Sequence, residues 1–290
     1  MSTPSYRPLQ FGVTRVTLRE GPGGAQYLRA DQALAPYAHR ITGRLLHWAE
    51  VAPDRTWMAR REHRADGSTG DWRAISYREA VDAARRIAQG LLDRGLSAER
   101  PVAILSENDL EHAQLALGCI YAGIPYCSVS PAYSTISTDY EKLRHVLRTI
   151  TPGLVFASDG ARYGKAIAAA VDADLEVCVH GGFDALAGHP RVSSLASLLS
   201  TEPTSAVDAA MHATGPDTIV KFLFTSGSTK LPKAVINTQR MWCANQQQMR
   251  QSMPVLVTEV EGQHPVLVDW LPWNHTFGGN HNFGLVIYNG

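Results

Sequence analysis

Between positions 225 and 233 the sequence gathers groups suited to holding an oxyanion: Thr225-Ser-Gly-Ser-Thr-Lys-Leu-Pro-Lys233. Small side chains let backbone N–H groups turn toward one point, and the hydroxyls of Thr225, Ser226, Ser228 and Thr229 add donors there. Pro232 restricts the backbone immediately before Lys233, so the ammonium leaves from a chain of fixed direction. The surrounding charge agrees. Residues 218–258 contain no Asp or Glu but carry Lys221, Lys230, Lys233, Arg240 and Arg250, in a chain whose formal net charge is zero. A polyphosphate suits such a segment, since each charge-assisted hydrogen bond contributes roughly 1.5–3 kcal/mol. A solvent-exposed Ser/Thr/Gly hairpin turn fits the same composition.

The elements on either side define what kind of loop this is. Phe222–Phe224 reads as a strand before it and Ala234–Ile236 as a strand after it. The pattern G-x-x-x-x-G-K-[ST] instead requires a strand followed by a helix whose N-terminus faces the phosphates. Gly160-Ala-Arg-Tyr-Gly-Lys165 is one residue short of that spacing, and Ala166 stands where a metal-binding hydroxyl is needed. It is set aside.

A second constellation lies downstream, in Leu271-Pro-Trp-Asn-His-Thr-Phe-Gly-Gly279. Pro265–Trp270 reads as a buried strand, which would place His275 beyond its carboxyl end, where open parallel sheets bind ligands. A histidine there serves equally as a hydrogen-bonded structural residue. Trp273 and Phe277 would line an apolar channel suited to a flat aryl acid or an alkyl chain. His275 and His281 lack the i,i+4 spacing of a zinc pair, and no metal site is expected from them.

Thr225–Lys233 resembles the phosphate loop T-S-G-[ST]-T-G-x-P-K of the adenylate-forming superfamily: acyl- and aryl-CoA synthetases, peptide-synthetase adenylation domains and luciferases. Lys230 departs from it, standing where most members have Gly. Asn237–Gln246 and Leu271–His281 are similar to feruloyl-CoA synthetases within that superfamily. The resemblance implies an α/β fold with parallel sheets flanked by helices. It implies ATP, Mg2+ and coenzyme A as the reaction's partners, with an acyl-adenylate formed first and a CoA thioester second. It assigns Thr225, Ser226, Gly227, Ser228, Thr229 and Lys233 to the phosphates, with Lys233 and His275 in catalytic roles. Pro272, His275 and Gly278 match the family's P-x-x-H-x-x-G stretch. Trp273, Asn274, His275, Phe277, Gly278 and Gly279 are thereby assigned to the acid.

Against that family the chain ends before the magnesium-binding Glu, the ribose-binding Asp, the hinge and the C-terminal domain with its Lys. The expectation is therefore an N-terminal piece, inactive alone. Fatty-acyl ligation stays open beside hydroxycinnamate ligation. So does a non-catalytic nucleotide-binding module. An amide hydrolase is disfavoured, because no G-x-S-x-G or S-x-x-K arrangement surrounds the serines.

The remaining chain must position these two segments. Residues 1–45 read as an N-terminal arm with a short strand at Phe11–Leu18, 46–205 as a first α/β lobe, and 206–290 as the start of a second. Ile41–Val51 has helical spacing; Trp57 onward and Trp72–Ile75 form a hairpin about Asp66–Gly70. Ser76-x-x-Glu79 is a capping box opening a helix whose stripe is Ala80, Ala84, Ile87, Ala88 and Leu91. Strands at Val102–Leu105, Ile124–Val129, Leu154–Ala157 and Glu176–Val179 then alternate with helices at Leu110–Tyr121, Thr138–Thr149 (capped by Thr138), Ala161–Val171 and Leu195–Leu199. That alternation predicts βαβ units and a parallel sheet. Thr238 is expected to cap a helix over Gln239–Ser252.

The totals exclude other classes. With 44% apolar and 19% charged residues, the 290-residue chain has an ordinary globular composition. Zero net charge and no basic helix argue against a nucleic-acid partner. Cys119, Cys127, Cys178 and Cys243 show no C-x-x-C spacing, and no run approaches a membrane span. A cytoplasmic location is expected, and a homodimer is left open.

Overall fold

Seven strands in the order β11-β10-β6-β5-β7-β8-β9 form the sheet that organises the chain. The computed structural model describes residues 9–63, 66–225, 231–259 and 264–290. Chain order is β1 (Val16–Glu20), β2 (Gln26–Ala30), α1 (Ile41–Val51), β3 (Thr56–His63), β4 (Thr69–Ser76), α2 (Tyr77–Asp93), β5 (Val102–Leu105), α3 (Leu110–Ala122) and β6 (Tyr126–Ser128). There follow α4 (Ala132–Thr135), α5 (Glu141–Ile150), β7 (Leu154–Asp159), α6 (Gly160–Ala170), β8 (Glu176–Gly181), β9 (Val192–Ser194), α7 (Leu195–Leu199) and α8 (Ser205–Ala213). The last are β10 (Ile219–Thr225), β11 (Lys233–Thr238), α9 (Gln239–Ser252) and α10 (Phe283–Asn289).

All pairs in this sheet are parallel except β10 with β11. The central strand β5 is buried throughout, as expected of a strand covered on both faces. Its alternation divides the core. Val102 and Ile104 pack with α2 and α3 residues such as Ile87 and Leu115, whereas Ala103 and Leu105 face Leu143 and Ile167 of α5 and α6. The capping box at Ser76 forms in full: the Glu79 N–H donates to Ser76 Oγ, and the Ser76 N–H donates to Glu79 at 2.7 Å. Gly123, in the left-handed region at φ 70°, ends α3 and turns the chain into β6.

Four expectations are corrected. The chain change near residue 205 does not open a new sheet, because β10 hydrogen-bonds in parallel to β6 at Lys221 and Tyr126. The N-terminal strand starts at Val16, beyond Phe11 and Val13, and pairs with β2; Ile41 and Leu45 of α1 belong to the core and not to an arm. Thr138 does not cap α5. Tyr140 occupies that position in the left-handed region, while Asp139 accepts from the Glu141 N–H. Pro265–Trp270 is not a strand: Val266 is 91% and Val268 85% exposed, with no strand partner among the described residues. A short apolar run states a preference for a sheet, and pairing must come from elsewhere in the chain.

Candidate active site

The antiparallel pair β10–β11 is a hairpin whose ends are Thr225 and Lys233, directly opposite in register. The loop residues Ser226, Gly227, Ser228, Thr229 and Lys230 lie outside the described residues. Opposed residues share a face, so Lys221, Leu223, Thr225, Lys233, Val235 and Asn237 lie on one side of the hairpin. Lys233 is exposed at the mouth of this face. Leu223, Thr225, Val235 and Asn237 line a cleft of about 430 Å³ together with Asn274, His275 and Thr276. Ser128, Ser130 and Tyr133, at and beyond the carboxyl end of β6, form its floor. Thr225, at the start of the first segment singled out by chemistry, thus lines the same cleft as Asn274 and His275 of the second.

The turn that carries His275 is tied down at several points. Asn108 spans it, donating from Nδ2 to Leu271 O at 2.8 Å and accepting from the Trp273 N–H at 3.0 Å. Asp269 accepts from Leu271 N, Trp273 Nε1 and Asn282 Nδ2. Asn280 donates from Nδ2 to Asn237 Oδ1 at 2.8 Å and to Thr276 Oγ1 at 3.0 Å, joining this turn to β11. Its backbone is a single π-helical turn over Phe277–Asn282. Neither Gly278 nor Gly279 has room for a Cβ, which would strike the carbonyl oxygens of Pro272 and Trp273. His275 Nδ1 accepts from the Phe277 N–H, an assignment that puts the neutral ring's proton on Nε2 and leaves it free to donate outward.

The predicted acid-binding residues divide. Asn274 and His275 line the cleft. Trp273 does not: it is buried against Phe283 at 4.8 Å between ring centroids and meets the edge of His112 at 5.0 Å. Phe277 is exposed and packs edge-on against His281. Gly278 and Gly279 act through close backbone packing.

Local charge is also redistributed. Lys221 is fully buried, and burial holds its amine well below the usual lysine range. Arg240 forms two 2.9 Å bonds to Asp217, just outside the segment free of acids, and that pair raises the guanidinium further. Lys233 remains as the described lysine at the loop.

Sequence reading missed His112, Asn108, His145, Asp269 and Asn280. His112 is buried, and desolvation lowers its pKa, keeping the ring neutral. Its Nδ1 donates to Glu107 O, so Nε2 accepts from Ser128 Oγ at 2.8 Å and directs that hydroxyl's lone pairs toward the cleft. His145 Nε2 donates to Pro232 O at 2.8 Å, one residue before Lys233. No local periodicity marks these residues. Only the spatial adjacency of separate loops does.

A larger hollow of about 700 Å³ lies at the amino ends of the strands, among Arg100, Arg144, Arg148 and Arg191. Arg144 and Arg191 are engaged there with the carbonyls of Ala169 and Asp174, and no residue of β10 reaches it.

The AMP-binding enzyme family model matches residues 45–290. The chain belongs to this family. A 3-[(3aS,4S,7aS)-7a-methyl-1,5-dioxo-octahydro-1H-inden-4-yl]propanoyl:CoA ligase of Rhodococcus jostii is 27% identical over 76% of this chain and 42% of its own length. A salicylyl-CoA synthase / salicylate adenylyltransferase of Streptomyces is 27% identical over 69% of this chain and 34% of its own. The adenylation domain of a keto acid-selecting peptide-synthetase module, bound to keto acyl adenylate, superposes with TM-score 0.66 at 20% identity, covering 89% of this chain and 42% of that domain. The chain therefore spans about two fifths or less of the length of these relatives. None of its described helices is long and apolar enough to cross a membrane.

Proposed function

We propose that the protein carrying this AMP-binding chain is an ATP-dependent acid–CoA ligase, with a hydroxycinnamate such as ferulate as its acid. The observation that carries this reading is the shared cleft: Thr225 and His275 both line it, and Lys233 is the register partner of Thr225 on the same hairpin face. The family match and the CoA-ligating relatives support ATP and coenzyme A as co-substrates.

In the first step a carboxylate oxygen bonds to the α-phosphorus of ATP, and the bond from that phosphorus to the bridging oxygen breaks, releasing pyrophosphate. In the second the sulfur of CoA, giving up its thiol proton to solvent, bonds to the acyl carbon, and the bond from that carbon to the phosphate oxygen breaks, releasing AMP. Such displacement depends mainly on positioning and charge neutralisation. Lys233, Thr225 and the intervening Ser226, Gly227, Ser228 and Thr229 take the β- and γ-phosphates. His275 donates from Nε2 to an oxygen near the reacting carboxyl, and Asn274 orients the acid beside it. Magnesium would add charge neutralisation, but among the described residues no carboxylate lines the cleft to hold it, and no step is routed through it.

The lining distinguishes acids. Ser128, Ser130, Tyr133, Asn237, Asn274 and Thr276 give this cleft many hydrogen-bonding groups for its size, beside Val129, Leu223, Phe224 and Val235. Ser128, Asn237 and Thr276 are already bonded to His112, Val235 and Asn280, so Ser130, Tyr133 and Asn274 are the groups that a ring bearing hydroxyl and methoxyl substituents would address and an alkyl chain would not. The salicylate-activating relative is consistent with an aryl acid. The cytoplasm suits its four free, buried cysteines. ATP–pyrophosphate exchange across hydroxycinnamates, benzoates and long-chain fatty acids tests the assignment. Exchange highest with hydroxycinnamates supports it, and exchange restricted to long-chain acids replaces it with fatty-acyl ligation. Nucleotide binding without exchange on any acid would leave a binding module instead.

A further inference from the structure

Lys221 is fully buried in β10, four residues before the phosphate loop begins. Its Nζ donates to the carbonyl of Gly279 at 2.6 Å and stands 3.5 Å from the centroid of the Trp242 ring. Methionine or leucine would fill this space without desolvating an amine, so packing alone does not account for a lysine here. What an apolar residue would lack is an N–H directed at one carbonyl.

That carbonyl belongs to the π-helical turn following His275. The Gly279 N–H donates to His275 O at 2.8 Å, so two hydrogen bonds connect Lys221 to His275 through one residue, Gly279, by way of the two peptide units that flank its Cα. The neighbouring carbonyl, Asn280 O, accepts from Trp242 Nε1 at 2.8 Å and Gln246 Nε2 at 2.7 Å. Side chains from β10 and α9 therefore grip consecutive carbonyls of the turn. Lys221 also shares a strand face with Thr225, two pleats further on, about 13 Å along the strand. One rigid strand thus leads into the phosphate loop and holds the turn that carries His275.

We infer that Lys221 is a positioning residue, fixing the separation between the phosphate strand and the His275 turn and hence the approach of the acid to the α-phosphorus. The geometric part stands on the hydrogen bonds alone; the kinetic part rests on the ligase reading above. Two measurements keep these apart. In the 290-residue chain, nuclear magnetic resonance of the Gly279 amide and the His275 imidazole is compared between wild type, Lys221→Met and Lys221→Arg. Both signals shift in Lys221→Met and shift less in Lys221→Arg, while the distant Gly95 amide stays in place. In the adenylating protein, Lys221→Met lowers kcat for exchange by about 10- to 100-fold, as displacement of about 1 Å does. KM for ATP stays within about 3-fold, and Lys221→Arg recovers part of kcat; a merely structural role would lower the unfolding temperature without this split. If Lys221→Met does not fold, Lys221→Gln, which keeps an N–H on a shorter arm, is read in the same way. Unmoved Gly279 and His275 signals, or wild-type kcat in a folded Lys221→Met, overturn the inference. Absence of exchange in the wild type with every acid overturns the ligase reading instead, and the resonance shifts then decide the role of Lys221.

Discussion

Asn108 accepts a hydrogen bond from the Trp273 backbone N–H at 3.0 Å across 165 positions of sequence, and its own amide closes the turn on Leu271 O at 2.8 Å. One side chain at the end of β5 thereby holds both flanks of Pro272. Asn108→Ala leaves a donor and an acceptor of this turn without that partner, and should destabilise the fold by about 1–3 kcal/mol. The expected result is a lower denaturant midpoint with unchanged slope, together with a raised KM for the acid and little change in KM for ATP.

Trp273 gives the opposite expectation. Its indole is packed into the core against Phe283 and donates to Asp269 at 2.8 Å, so it forms no wall of the His275 cleft. Trp273→Phe should cost about 1–3 kcal/mol through the lost indole donor, with the order of preference among acids unchanged. A switch of preferred acid, read from relative kcat/KM values, would return Trp273 to the substrate.

His145 supports the exit of the phosphate loop through Pro232 O. Loss of that one bond in His145→Ala should raise KM for ATP about 10-fold, equivalent to about 1.4 kcal/mol. KM for the acid should not follow. Titration of ATP at saturating acid checks the split.

Glu176 links β8 to Arg94 at 2.9 Å and accepts from Ser193 at 2.5 Å. Burial pushes its carboxyl up, but the Ser193 and Arg94 hydrogen bonds outweigh that and hold it below its ordinary 4.5. A depressed folded value adds stability in full above about 4.5, lost as pH falls through the folded value. Wild type should therefore exceed Glu176→Gln in stability at pH 7, and the gap should close on acidification below about pH 4.5. A gap that widens in acid would contradict the ion pair.

The parts of this fold that were legible are those set by near neighbours in sequence. α1, β5, α7 and α9 occupy the residues predicted for them, because their apolar residues and the Thr238 cap act within one or two turns. Thr225, Lys233, Asn274 and His275 can be picked out as candidates because hydroxyl, ammonium, amide and imidazole groups are marked by type, and Thr225, Asn274 and His275 line one cleft. Illegible residues depend on what arrives from far away. Lys221 reads as one more positive charge until β6, Trp242 and Gly279 enclose it. Trp273 reads as a channel wall until Phe283 and His112 turn it inward. Pro265–Trp270 has the apolar run of a buried strand, but strand character is a preference that needs a partner. The joining of β10 to β6, which sets the hairpin beside Ser128 in the cleft, leaves no local trace.

The central claim is that the hairpin ending in Lys233 grips the phosphates of ATP opposite His275. ATP–pyrophosphate exchange with ferulate, run on wild type and Lys233→Ala of the protein carrying this chain, addresses it most directly. The account predicts robust exchange in the wild type and a loss of roughly 100-fold or more in Lys233→Ala, with an unchanged melting temperature because Lys233 is exposed. A wild-type exchange rate in Lys233→Ala would contradict it.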